Sequence, residues 1–134
     1  MRSFRLLALL LALAGLLAAC GGGGSPAPTD SPGTGLVVAY VRTWPDGLRE
    51  ELTIDPDGRM LMKHGEHLER LVLEPADLER IQAALAAGVA AGDPDASPER
   101  VVTLADGTVV TDADPAPGSA VELLDRLMDT HSVE

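Results

Sequence analysis

The stretch LVVAYVRTWPDGLREELTI, residues 36–54, predicts the first β-hairpin of the chain. Residues 36–43 are rich in β-branched side chains, and residues 48–54 alternate between apolar and polar with the period of a strand. Asp46 and Gly47 lie between them, and Asp-Gly is a strong signal for a tight turn because both residues tolerate positive φ. Glu50 interrupts the apolar side of the second strand, which we interpret as a position near an edge of the sheet.

Turn signals of the same kind divide the rest of the chain into short elements. Dipeptides that contain glycine separate the extended runs. Pro75 is at a predicted helix start, where the missing backbone N–H of proline loses no helical hydrogen bond. Apolar residues at helical spacing mark two amphipathic helices. The predicted strands are residues 36–43, 48–54, 59–63, 67–73, 100–104 and 108–112. The first predicted helix begins at Pro75, and its apolar stripe is Leu78, Ile81, Leu85 and Val89. The second begins at Ser119, and its apolar stripe is Val121, Leu124, Leu127 and Met128.

The element order is therefore ββββα followed by ββα. This order predicts an α+β domain in which an antiparallel sheet, a meander through its first four strands, carries both helices on one face. Tyr40 and Trp44 are the only aromatic residues after residue 20, so the core is predicted to be aliphatic.

The first 19 residues are typical of an export signal. Arg2 and Arg5 form a positive start, and residues 6–17 form an apolar run of roughly 18 Å as a helix, shorter than a ~30 Å bilayer core. Residues 17–20, Leu-Ala-Ala-Cys, resemble the lipobox of bacterial lipoproteins. That resemblance implies that Cys20 carries diacylglycerol on a thioether and becomes the first residue of the mature chain. The alternative is an ordinary secretory signal that a cysteine happens to follow.

Residues 20–35 are predicted to tether the domain to a membrane. After Cys20, GGGGSPAPTDSPGTG combines flexible Gly and Ser with stiffer Pro, and its root-mean-square reach is about 20–25 Å. The chain is thus predicted to contain a signal peptide (1–19), a lipidated cysteine with a linker (20–35) and one small domain (36–134). Acyl chains would hold the protein at the extracytoplasmic face of the membrane, on the cell surface or in the periplasm.

The mature chain is strongly acidic. The sequence has 10 basic and 21 acidic residues, and loss of Arg2 and Arg5 with the signal leaves 8 basic residues against 21 acids, a net charge of −13 with the three histidines neutral. This charge argues against binding to nucleic acid and against adhesion of the domain itself to anionic lipid. Because Cys20 is the only cysteine, no disulfide is expected within the chain.

The sequence contains no pattern typical of a catalytic or cofactor site. No serine lies in a nucleophile elbow, and no Gly-rich phosphate loop joins a strand to a helix. His64, Glu66 and His67 are close in sequence, but His131, the remaining imidazole, is distant, so we predict a solvated turn and no metal site. Residues 55–58 lack the spacing of a calcium loop. We therefore expect no enzyme activity, metal or cofactor.

The sole tryptophan lies at the predicted tip of the first hairpin. Trp44, together with Pro45 and Asp46, is our candidate for a contact with a protein partner, because large rigid side chains anchor protein interfaces. The alternative is that Trp44 folds back over the sheet edge and shields the aliphatic core.

Residues 40–60 read YVRTWPDGLREELTIDPDGRM and residues 73–85 read LEPADLERIQAAL, and a shorter hairpin and a Pro-led last helix follow them. This pattern resembles that of proteins related to emfourin. Emfourin is a small protein inhibitor of a thermolysin-like metallopeptidase. The resemblance covers most of residues 36–128, and it implies an α+β fold and inhibition of an exported metallopeptidase. Emfourin-like sequences carry Ser-Gly-Gly after the first strand, where this chain has residues 43–47, TWPDG.

Together these patterns predict a non-enzymatic, lipid-anchored binding module of the cell envelope. One hypothesis is that the hairpin tip restrains an exported metallopeptidase. The other is a structural or assembly lipoprotein whose sheet edge or acidic face docks on an envelope complex.

Overall fold

Six antiparallel strands and two helices make up the domain, as the sequence predicts. The computed structural model describes residues 35–131, so the predicted signal, Cys20 and nearly all of the linker lie outside the described residues. The strands are β1 (Val38–Thr43), β2 (Arg49–Ile54), β3 (Arg59–His64), β4 (His67–Val72), β5 (Glu99–Leu104) and β6 (Val109–Thr111), and the helices are α1 (Pro75–Ala86) and α2 (Ala120–His131).

The strands form one sheet in the order β4-β3-β2-β1-β5-β6. The first four strands form the predicted meander, and β5 pairs with the other side of β1, so the first strand of the domain lies inside the sheet. Glu50 belongs to β2, which pairs with β1 and β3, and the side chain is buried. Its predicted position near a sheet edge is therefore wrong.

The three Asp-Gly turns share the same backbone hydrogen bonds. In the β1–β2 turn, the Gly47 N–H donates to the Trp44 carbonyl at 2.9 Å and the Trp44 N–H donates to the Leu48 carbonyl at 2.9 Å, and the corresponding two bonds form in the β2–β3 and β5–β6 turns. Gly47 has φ +89°, but Asp46 is not in the positive-φ region. The predicted tight turns are therefore present, and their hydrogen bonds are those of type I turns closed by a glycine bulge.

The two helices begin and end at local signals. Pro75 starts α1 as predicted, and α1 ends at Ala86 because Gly88 takes φ +104° and donates its N–H to the Leu85 carbonyl at 3.0 Å. Val89, expected within the helix, lies beyond its end and packs partly buried against the core. Ser119 caps α2, since its Oγ accepts the N–H of Glu122 at 3.1 Å.

Both helices pack on one face of the sheet, as predicted. The apolar stripes of α1 and α2 close over alternate residues of the strands, and this layer forms the core. Tyr40 is fully buried within it, so the expectation of a purely aliphatic core is wrong at this residue. The largest fully buried side chains are Val38, Tyr40, Leu52, Ile54, Val102, Val121, Leu124 and Met128.

Candidate partner-binding site

The β1–β2 turn presents the three predicted site residues together at one end of the sheet. Trp44, Pro45 and Asp46 are all exposed, and 36% of the Trp44 surface remains accessible. The Asp46 carboxylate accepts the N–H of Leu48 at 3.0 Å, so it helps to hold the turn. The Trp44 indole and the Pro45 ring therefore supply the apolar surface of this tip.

Two contacts hold the Trp44 indole in place. Its Nε1–H donates a hydrogen bond to Oε2 of Glu50 at 2.7 Å. The guanidinium carbon of Arg42 lies 5.6 Å from the centre of the indole ring, within the range of a cation–π contact. Trp44 therefore packs on a charged pair, and 36% of its surface remains exposed to solvent.

Arg42 and Glu50 form a buried ion pair beneath the indole. They are directly opposite each other in the β1–β2 register, on the side of the sheet that faces the helices, and are only 4% and 2% exposed. The Arg42 guanidinium engages both carboxylate oxygens, with Nε donating to Oε2 and Nη2 donating to Oε1 at 3.3 Å. This two-point geometry favours a buried pair, because it satisfies both charges away from water.

Carboxylates of α2 extend this pair into a network. Nη2 of Arg42 lies 2.8 Å from Oδ1 of Asp129, and Nη1 lies 3.5 Å from Oδ1 of Asp125. Asp125 also accepts the Tyr40 hydroxyl at 2.6 Å and Nε of Arg100 at 2.9 Å. The network thus connects the hairpin that carries Trp44 to β5 and to α2.

The network moves the pKa values of three of its members, Glu50, Arg42 and Tyr40, away from neutral pH. Burial opposes the charge of Glu50, but the hydrogen bonds from Arg42 and Trp44 outweigh it and lower the pKa of Glu50. Burial opposes the charge of Arg42 as well, and the hydrogen bonds to Glu50 and Asp129 raise the pKa of Arg42 above its ordinary value. Burial, and then the hydrogen bond to Asp125, raise the pKa of Tyr40. These groups position side chains and are unsuited to proton exchange at pH 7.

The three histidines of the chain line one small cavity, and His64 also contacts Glu50. Nδ1 of His64 lies 2.7 Å from Oε1 of Glu50, and His64, His67 and His131 line one cavity of about 40 Å³ together with Glu69. His131 is therefore close in space to the two residues from which the sequence separates it. Among residues 35–131, no group of three or more His, Cys, Asp or Glu side chains is placed to hold a metal ion.

Sequence reasoning missed the ion pair, although a signal for it is present. Arg42 and Glu50 both occupy positions on the apolar sides of their strands, and the Asp46-Gly47 turn sets the register that places them opposite each other. Opposite charges at paired positions on a buried face indicate a buried pair. Asp125 gave no comparable signal, since the packing of α2 on the sheet is not a local property of the sequence.

Comparison of the chain with protein-family models, with curated proteins and with solved structures finds no match. The resemblances to a lipobox and to proteins related to emfourin are therefore resemblances of sequence pattern alone. Within residues 35–131, neither helix is long and apolar enough to cross a bilayer.

Proposed function

We propose that this chain is a non-enzymatic binding module of the cell envelope, anchored by lipid on Cys20, whose β1–β2 tip contacts a protein partner. An exported metallopeptidase is the partner that the sequence resemblance favours. The observation that carries the proposal is the indole of Trp44, which is held by Glu50 and Arg42 and yet remains 36% exposed.

A side chain held in this way suits a binding contact. Ordering a free side chain at an interface costs about 0.5–1.5 kcal/mol, and Trp44 is already ordered by the network beneath it. Tryptophan is also among the residues that most often dominate the binding energy of an interface. The turn itself is braced by the two backbone hydrogen bonds between Trp44, Gly47 and Leu48. A short, braced loop of this kind is the form in which protein inhibitors enter a cleft.

The repeated turn geometry allows a matched crosslinking test in the full chain. A photoreactive amino acid is placed at Pro45, and in separate variants at Pro56 or Ala105, which occupy the same position in the other two turns. We expect a covalent adduct with an envelope protein from position 45 and none from the other two. Equal adducts from all three positions would overturn the assignment of the site.

The role of the indole is tested by measuring how Trp44 variants bind the partner that the crosslinking identifies. Once the partner is identified, Trp44→Ala should weaken its binding by about 30-fold, the effect of a typical interface hot spot. Trp44→Phe keeps the ring beside Arg42 but loses the bond to Glu50, so it should retain part of the affinity. Unchanged binding by Trp44→Ala would remove Trp44 from the site, and a partner without peptidase activity would favour the docking hypothesis over inhibition.

The anchor has an independent test. Labelled palmitate should enter the wild-type chain in growing cells and should not enter Cys20→Ser, because the proposed modification is on this single thiol. Equal labelling of the two chains, or an unprocessed leader on wild-type material, would refute anchoring through Cys20.

A further inference from the structure

The face of the sheet opposite the helices has an unusual pattern on β3 and β4. The residues of these strands that point to this face alternate between cations and aliphatic side chains, and in register each cation is opposite an aliphatic residue. All six are exposed, and Val72 is 74% exposed. We call this surface the cationic–aliphatic face; its pairs are Arg59 with Val72, Leu61 with Arg70, and Lys63 with Leu68.

The three cations of this face differ from the other basic residues of the domain in their ion pairing. Within residues 35–131, Arg42 and Arg100 are committed to the buried network, and Arg80 and Arg126 pair with acids on their own helices. No acidic partner within the described residues pairs with the cations of the cationic–aliphatic face. The only acid on β3 or β4 is Glu69, which is opposite Met62 and so points to the helix side. Acids border this face, since Glu51 of β2 is opposite Lys63 and Asp55 lines the same hollow as Arg59, but β3 and β4 themselves present only cations and aliphatic side chains there.

The chain enters the domain at a point that borders both this face and α1, since Leu36 lines one hollow with Leu85 of α1 and another beside this face. Leu36, the residue that follows the predicted linker, lines a hollow of about 610 Å³ whose wall includes Arg59, Leu61, Arg70 and Val72. A lipid anchor at Cys20 would be joined to the domain by residues 21–35, with a reach of about 20–25 Å. Such a tether would keep the whole domain, and this face with it, at high effective concentration next to the membrane.

We propose that the cationic–aliphatic face lies on an anionic lipid surface, with its arginines and lysine at the lipid phosphates and its leucines and valine in the interfacial region. The proposal rests on the proposed function, because it takes the membrane from the anchor at Cys20. Arginine binds phosphate well through paired N–H donors, and aliphatic side chains between the cations gain by leaving water. Each cation near an anionic membrane strengthens partitioning by roughly fivefold.

The net charge of −13 predicted repulsion from anionic lipid, and the position of part of this charge lowers the expected repulsion. Five of the 21 acids are on the helices, whereas ten are in turns and loops of the described residues. The acids of α1 and α2 lie behind the sheet, and a helix layer is itself ~10 Å thick. That distance is about the Debye length at physiological salt, so these acids are largely screened from a surface in contact with the other face. Glu51, the acid of β2 on the contacting face, is paired with Arg49 at 2.7 Å.

The test uses the single cysteine of the chain as a chemical handle. Residues 20–134 contain the whole core, and the Cys20 thiol is coupled to maleimide lipid in vesicles that contain about one third phosphatidylglycerol. Spin labels on the lipid headgroups then broaden the NMR signals of nearby residues. We expect broadening at Leu61, Leu68 and Val72 and none at α1 or α2, and we expect it to fade in about 0.5 M salt or on phosphatidylcholine alone. Because the coupling is chemical, the result does not depend on whether cells lipidate Cys20.

Two double variants with the same change in net charge provide the decisive comparison. Arg59→Glu with Arg70→Glu changes the proposed face, and Arg80→Glu with Arg126→Glu changes the helices, where both arginines are about two thirds exposed. For chains blocked at Cys20, partitioning to the anionic vesicles should fall by roughly 25-fold or more in the first variant and by far less in the second. The proposal would be overturned by equal losses in the two variants or by broadening at the helices. It would also be overturned if the cationic–aliphatic face stays free of lipid and instead crosslinks to an acidic envelope protein.

Discussion

Glu50 is a buried carboxylate whose charge depends on its neighbours. Arg42 engages both of its oxygens, Trp44 donates to one of them, and His64 contacts the other. A buried charge is costly once a partner is removed, so this residue supports both the stability of the domain and the position of the indole. The candidate binding surface and the stability of the fold therefore both depend on the side chain of Glu50.

We expect Glu50→Gln to destabilise the domain by about 3 kcal/mol at pH 7, because it leaves the buried guanidinium of Arg42 with a weaker partner. Urea denaturation measures this difference. Glu51→Gln is the matched control, since Glu51 pairs with Arg49 on the exposed face and such pairs contribute about 0–1 kcal/mol. Similar losses in the two variants would show that burial of the pair is unimportant.

The same carboxylate makes stability depend on pH in the acid range. The pKa of Glu50 is lower in the folded chain than the ordinary value of about 4.3, so the unfolded chain binds more protons as the pH falls between these two values. The stabilisation is complete above about pH 4.3 and is lost as the pH falls through the folded pKa. Denaturation between pH 7 and pH 3 should therefore show a smaller loss for Glu50→Gln than for the wild type; parallel curves would contradict this assignment.

At the scale of elements, the three Asp-Gly turns are equivalent, which makes them comparable sites for mutation. Gly107 has φ +86°, and a Cβ there would meet no atom within 4 Å. Gly107→Ala should therefore cost about 1–2 kcal/mol through backbone strain alone. Gly107→Asn should cost less, because asparagine tolerates this conformation. Urea denaturation separates the two, and an equal cost would point to a cause other than φ.

Local signals account for most of what the sequence predicted correctly. Asp-Gly pairs, the proline before α1 and the period of the apolar residues each depend on a few neighbouring residues, so strand order and helix starts followed from them. The network did not follow, because it joins Arg42 to Asp125 and Asp129, which are far away along the chain. Its geometry depends on how α2 crosses the sheet, and apolar spacing does not specify that.

At the scale of the whole molecule, α2 covers two different surfaces. Leu124 and Met128 are buried in the apolar core, whereas Asp125 and Asp129, each one residue further along the helix, reach the ionic network. The core and the candidate site are therefore stabilised by one element. Loss of α2 packing should disturb both at the same time.

Leu124→Ala tests this coupling. The side chain is fully buried, so the cavity should cost about 2–5 kcal/mol. Far-ultraviolet circular dichroism reports the helices and the fluorescence of Trp44 reports the hairpin tip; we expect both denaturation midpoints to fall together. Leu123→Ala, at a partly buried neighbour, should produce a smaller shift. Midpoints that separate by probe would show that the tip unfolds independently of the core.

The interior position of β1 has a mechanical consequence. The N-terminal end of this strand follows the predicted linker and the other end leads into Trp44. Antiparallel ladders to β2 and β5 flank the strand along its length. Tension between a lipid at the N-terminal side and a captured protein at the tip would run along the covalent backbone of β1, which is already extended. Such a load would not have to break the ladders to β2 and β5, so the sheet could remain closed under traction.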